Sequence, residues 1–308
     1  MLLRLIPFVL ALAWGLNWPA VKIALSAFPP FTLRMVGLGG GAILLLLIAL
    51  AQGMRLTPGR GSWRGVLIGG ILAVAVFNLS TALAQLNTST SRAAVLTYTM
   101  PMMSAVLCWF VVGERLERRK FIALALGMTG VFILAWPAVT SALQDHDGRA
   151  IKGLVFPLLA AFGWAAGTVY LQRWPVAGER MVFTAWQLLV GAACGAIGAL
   201  LAGEQFPTEA LSARVIVALF VHIVPGTAMA YWLWFIMSER LSATVSSMTT
   251  LMVPVVGVLA AMALVGDRPS VADWCGFAFV LAGAALIVLK LDITHAMHAP
   301  RASSARPR

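Results

Sequence analysis

Acidic residues are the scarcest chemistry in this chain. It has 11 Asp and Glu among 308 residues, and charged residues of every kind make up 11%. A soluble domain averages about 25% charged residues, so a mainly water-facing surface is excluded. No carboxylate falls deep inside an apolar run; the acids lie between runs or at their ends, as Asp273 does. Carboxylate relays are the usual proton path of pumps, so their absence favours facilitated diffusion or exchange, or coupling through another group. There is no Gly-x4-Gly-Lys-[Ser/Thr] loop and hence no ATP motor. His-Glu-x-x-His and Gly-x-Ser-x-Gly are also missing, which leaves an intramembrane hydrolase little support. The three cysteines, Cys108, Cys194 and Cys275, each lie in an apolar run without metal-ligand spacing. They read as small hydrophobes, and neither a metal nor a cofactor is expected.

Hydrophobic residues are abundant, at 61% of the chain, with a mean hydropathy of +0.92. Runs long enough to cross a bilayer recur at 5–27, 31–51, 65–86, 90–112, 119–137, 152–172, 182–202, 214–237, 243–265 and 271–289. Each is near the roughly 20 residues that span about 30 Å of hydrocarbon. The first run resembles a secretory leader, with small residues near Ala27, but it continues past Trp18 and reads as the first membrane helix. The expected fold is therefore all-α and integral to the membrane, with ten spans. The polar segment 291–308 is expected to be a disordered cytoplasmic tail.

A net charge of +11 could suggest nucleic acid. The basic residues lie instead in short gaps between apolar runs, where membrane proteins carry them. With the N-terminus in the cytoplasm, fifteen Lys and Arg fall inside, including Arg55, Arg64, Arg118 and Arg173, and seven fall outside, including Lys22, Arg92 and Arg268. This bias places both termini in the cytoplasm of a multi-pass inner-membrane protein.

The sequence also repeats itself. Residues 101–115 and 254–268 both read Pro, eleven residues, Gly, acid, Arg. The same offset pairs Gly130 with Gly283, and nearby offsets pair Phe31-Thr32 with Phe183-Thr184 and Ala13-Trp14-Gly15 with Ala161-Phe162-Gly163. Two units emerge, 1–140 and 150–290, each of five spans. Because five is odd, the second enters the membrane upside down. Inverted repeats rock about a shared central site, the geometry of alternating access. Duplication also builds channels and inert scaffolds.

The Ala-x-x-Trp14-Gly15-x-Asn17 opening, Arg34 early in the second span, and the paired Pro-x11-Gly-[Glu/Asp]-Arg segments are similar to the drug/metabolite transporter superfamily, in its ten-helix EamA-type group. Within it the chain resembles bacterial aromatic amino acid exporters. The resemblance implies inward and outward states, a central cavity between the repeats, and export of metabolites.

Polar groups in mid-membrane are costly and call for a reason. The candidates for substrate contact are Trp14, Asn17 and Trp18 in span one, Asn78 in span three and Tyr98 in span four. Trp164 and Thr168 in span six, Trp186 and Gln187 in span seven, and Tyr231 in span eight complete the set. A central indole offers stacking and an N–H donor, and amides both donate and accept, which suits a zwitterion. Trp232 and Trp234 beside Tyr231 could also meet cargo, although an interfacial belt near the cytoplasmic face is the plainer reading of both. His222 is a possible coupling group, although a lone histidine also serves packing. Pro101 and Pro254, at matching places in spans four and nine, are expected to bend them as hinges. Gly37/Gly41 and Gly191/Gly195 give Gly-x-x-x-Gly spacing for close helix approach, within a monomer or in a homodimer. The expected function is export of small hydrophobic metabolites, aromatic amino acids among them. Other cargo, such as a sugar, a nucleotide precursor or a drug, stays open, as does a membrane enzyme or scaffold.

Overall fold

The structure is a computed structural model, and it describes residues 5–113, 117–141, 148–174, 178–234 and 243–288. Arg4, Glu114 and Arg115 of the first motif copy, Arg240, and the 291–308 tail lie outside the described residues.

All regular structure among the described residues is helical. Ten helices match the ten apolar runs. They are α1 (Ile6–Ala24), α2 (Pro30–Ala51), α3 (Trp63–Asn87), α4 (Thr90–Val111), α5 (Arg118–Ser141), α6 (Arg149–Arg173), α7 (Arg180–Leu201), α8 (Ala213–Trp234), α9 (Ala243–Val265) and α10 (Val271–Val288). The first eight are long and apolar enough to cross a membrane, and α9 and α10 carry shorter apolar stretches. Their outer faces are greasy: Phe8, Phe110, Phe121, Phe132, Leu200 and Phe220 are exposed. Water would not tolerate such a contiguous apolar surface on a monomer, whereas lipid solvates it, and the chain is an integral membrane protein.

Contacts between the halves obey a two-fold pattern. α1 packs along α9 as α6 packs along α4, and α1 touches α8 as α6 touches α3. α3 lies on α7 as α8 lies on α2, while α2 pairs with α7 and α5 with α10. Exchanging each helix for the one five places later maps these pairs onto one another, as two inverted five-helix repeats require. Small residues permit the closest approaches. Gly195 of α7 lies against the backbone of Phe31 and Met35 in α2, and Gly130 of α5 lies against that of Gly276 and Val280 in α10. Gly37 and Gly41 face His222 and Thr227 of α8, and Gly191 faces Val74 of α3. Both Gly-x-x-x-Gly pairs are thus engaged within the chain.

Three helices depart from regularity. α3 passes through a π-helical stretch at Gly70–Val76, and α8 through one at Val224–Met229. These occupy corresponding places in the two repeats. α4 is broken at Tyr98-Thr99, immediately before Pro101, where the Thr97 and Thr99 hydroxyls donate to the carbonyls of Ala93 and Leu96. Proline removes a backbone donor, and these threonines satisfy neighbouring acceptors. Pro254, by contrast, sits in an unbroken α9. Of the two prolines expected to bend their spans, Pro101 follows a break in α4 and Pro254 lies within continuous helix.

Candidate functional site

A cavity of about 570 Å³ lies between the repeats. Its wall is drawn from α1, α2, α3, α4, α6, α7, α8 and α9. Aromatic rings dominate it. Trp14 meets Tyr231 edge-on at 6.0 Å and Trp234 at 5.5 Å, and Trp164 meets Phe77 at 5.0 Å. Tyr98 is held among Trp14, Met100, Trp164 and Val253. Trp18 packs against Ala84, Ala93 and Ala94.

Of the ten substrate-contact candidates, nine stand in this wall: Trp14, Asn17, Trp18, Asn78, Tyr98, Trp164, Thr168, Gln187 and Tyr231. Trp186 does not. Its Nε1 donates to the Leu56 carbonyl at 2.8 Å and its ring packs on Trp63, so it anchors the 52–62 turn instead. Trp234, read from sequence as part of an interfacial belt, is in the wall beside Trp14. Phe77, Thr81, Gln85, Phe183 and Thr227, none of them among the ten substrate-contact candidates, also contribute. The Pro225-Gly226 pair in the π stretch of α8 was the available signal, because π segments cluster at functional sites.

The polar groups are specifically held. Asn78 Nδ2 donates to the Val74 carbonyl at 2.9 Å. Arg34 Nη2 donates to Thr81 Oγ1 at 2.9 Å, and Nη1 reaches Asn78 Oδ1 at 3.5 Å. Gln187 Nε2 reaches the Gly65 carbonyl at 3.4 Å and packs over Gly69, where a side chain would collide with it. Thr168 returns its hydroxyl to the Trp164 carbonyl. His222 is buried behind the wall. Its Nδ1 lies 2.8 Å from Asn17 Oδ1. This hydrogen bond positions Asn17. Nε2 is without a partner and rests against Gly37.

The two ends of the cavity differ. At the end formed by the close of α6 and the start of α7 the wall includes Gln172, Gly178 and Arg180, all exposed. Toward the opposite face it ends at Val21 and Gln85, each 1% exposed. That end is tied by polar links between the repeats. Arg92 Nη2 and Nε grip Asp273 Oδ1 at 2.6 and 2.9 Å, and Asp267 accepts from the Ser91 backbone N–H at 2.7 Å. Arg149 donates across the interface to the Leu86 carbonyl, and Lys22 donates to that of Gln85 within the first repeat. The motif acid Asp267 thus caps the start of α4 from across the interface.

A bundle of membrane helices in two inverted repeats, enclosing an aromatic chamber sealed on one face, defines a membrane carrier class. The chain belongs to the EamA-like transporter family, whose sequence profile matches residues 4–136 and again 151–289. Among its relatives is an uncharacterized inner membrane transporter, YedA of Escherichia coli K12, 26% identical over 92% of this chain and 89% of that one. Another is a probable amino-acid metabolite efflux pump of Salmonella typhimurium LT2, 24% identical over 89% of this chain and 91% of that one. A protein of known crystal structure shares the fold with a TM-score of 0.64 and 23% identity, over 93% of this chain and 97% of that one.

Proposed function

We propose that this protein is an alternating-access exporter of small hydrophobic metabolites, with aromatic amino acids as the leading cargo. The observation that carries the reading is the chamber itself. At about 570 Å³ it falls within the roughly 300–1,000 Å³ typical of small-molecule sites. It is walled by Trp14, Phe77, Tyr98, Trp164, Tyr231 and Trp234, with a few polar groups among them. The rings would hold the apolar body of the cargo, and Asn17, Asn78 and Gln187 would orient its polar end. The chamber is assembled within one chain, so a monomer suffices for the cycle.

With the termini in the cytoplasm, as the distribution of Lys and Arg favours, the exposed end at Gln172 and Arg180 faces inward and the tied end faces outward. The two units, 1–140 and 150–290, would then rock to release the outer ties. The break before Pro101 gives the first unit a point of flexure. No chemical step is involved, and the protein would not be an enzyme. The printed name of the Salmonella relative is in keeping with amino-acid cargo.

The test is counterflow into proteoliposomes, screening amino acids, sugars, nucleosides and cationic drugs, with and without a pH gradient. Saturable counterflow of Trp, Phe or Tyr is the expected result. Flux confined to a sugar or a drug would replace the cargo and keep the carrier. Flux that neither saturates nor shows counterflow would turn the carrier into a pore.

A further inference from the structure

The chamber contains a charge that the aromatic amino acid reading does not use. Arg34 is 2% exposed and stands in the cavity wall. Its neighbours are neutral: Thr81 at 2.9 Å, Asn78 at 3.5 Å, and Tyr231 close by. A guanidinium carries five N–H donors. Two contacts engage its terminal nitrogens, and Nε has no partner. Among the described residues no carboxylate bonds or pairs with it, and the Arg92–Asp273 ion pair lies at the tied face. A buried cation is ordinarily paired.

The rest of the wall sharpens the point. No Asp or Glu stands among the described residues of the chamber wall. A low-dielectric cleft lined by positive charge concentrates anions. A cargo ammonium would find only amide, hydroxyl and ring partners there. A cargo carboxylate would find a guanidinium whose planar fork matches it.

We propose that Arg34 is the anion subsite of the chamber, and that the cargo class is aromatic monocarboxylates in which the carboxylate is required and the ammonium is dispensable. This rests on the carrier reading and narrows its cargo. Arg34 lies one helix turn from Gly37 and so shares α2 with the contact to His222. Thr81 and Asn78 fix the guanidinium from α3, so an anion captured at Arg34 would bridge α2 and α3.

The experiment is equilibrium binding to the full-length protein in lipid nanodiscs with three probes. These are L-tryptophan, indole-3-propionate, which lacks the ammonium, and tryptamine, which lacks the carboxylate. Since a hydrogen bond to a charged group contributes about tenfold or more in affinity, both acids should bind at least about tenfold tighter than tryptamine. Arg34→Gln should remove that advantage while leaving tryptamine within about twofold, and Arg34→Lys should restore part of it. Equal binding of tryptamine and the acids would overturn the proposal, as would an equal loss of all three in Arg34→Gln, or no binding of any. If Arg34→Gln fails to fold, the ranking of the three probes by the unaltered protein still decides. Counterflow of neutral or cationic cargo in the broader screen would leave the carrier intact while removing this subsite.

Discussion

Replacing Gly130 by alanine tests the packing of the bundle at its tightest seam. A Cβ at this position of α5 would lie 2.7 Å from Val280 Cγ2, 2.7 Å from the Val280 backbone nitrogen and 2.8 Å from the Gly276 carbonyl oxygen. Comfortable carbon contacts are about 3.5–4.0 Å, so α5 and α10 would have to separate by roughly 0.7 Å. Two of the three obstructing atoms are backbone, and no rotamer change relieves them. Overpacking of this kind costs about 1–3 kcal/mol, against which alanine recovers at most about 1 kcal/mol of helix propensity. The net loss of about 1–2 kcal/mol is a factor of about 5–30 in the folding equilibrium. The control is Gly39→Ala in α2, where a Cβ meets only Ala192 Cβ at an ordinary 3.7 Å. It should stay within about 0.5 kcal/mol of the parent or gain slightly. Reversible denaturant unfolding in micelles measures both. Equal stability of the two variants, or the reverse order, would refute this account of the α5–α10 seam.

Three more perturbations address the site. Asp267→Ala removes the acceptor for the Ser91 N–H and a negative charge near Lys22. Loss of such a helix cap costs about 0.5–2 kcal/mol, so the tied face should open more often, read as several-fold faster maleimide labelling of Val21→Cys; an unchanged rate would argue that this tie is incidental. His222→Ala leaves Asn17 without its partner, at about 1–3 kcal/mol for a stranded polar group. Cargo affinity should fall while maximal flux at saturation persists, and full retention of affinity would make the pair irrelevant to binding. Trp164→Ala deletes a ring stacked on Phe77 in the chamber wall. It should weaken transport at normal expression, whereas Trp186→Ala, outside the wall, should act on stability of the 52–62 turn alone; equal transport defects in both would contradict the assignment of the wall.

The ten spans and the repeat were legible in sequence because lipid imposes length and composition on each helix and duplication left Pro, Gly and acid at fixed intervals. The central aromatic and amide residues were legible for a related reason, since polar groups in mid-span are expensive. The break before Pro101 and the continuity through Pro254 were not distinguished, because proline frees a carbonyl in both places and neighbouring side chains decide whether the helix breaks. Trp234 could be read either as belt or as cargo contact, because its place in the wall depends on Trp14 of α1, 220 residues away in sequence. Arg34 was visible as a charge at the start of α2, but its burial depends on Thr81 and Asn78, more than forty residues away in sequence. Three links at the tied face likewise join residues from opposite repeats: Ser91 with Asp267, Arg92 with Asp273, and Arg149 with Leu86.

Paired accessibility at the two ends of the chamber probes the carrier cycle most directly. With the native cysteines replaced, Phe183→Cys reports on the exposed end and Val21→Cys on the tied end. Impermeant maleimide should reach position 183 from the cytoplasmic side at rest, and position 21 from the outside only once a transported cargo is supplied, with labelling at 183 falling in step. Labelling of both positions from one side at once, or a position 21 that stays closed under saturating flux, would contradict an alternating chamber.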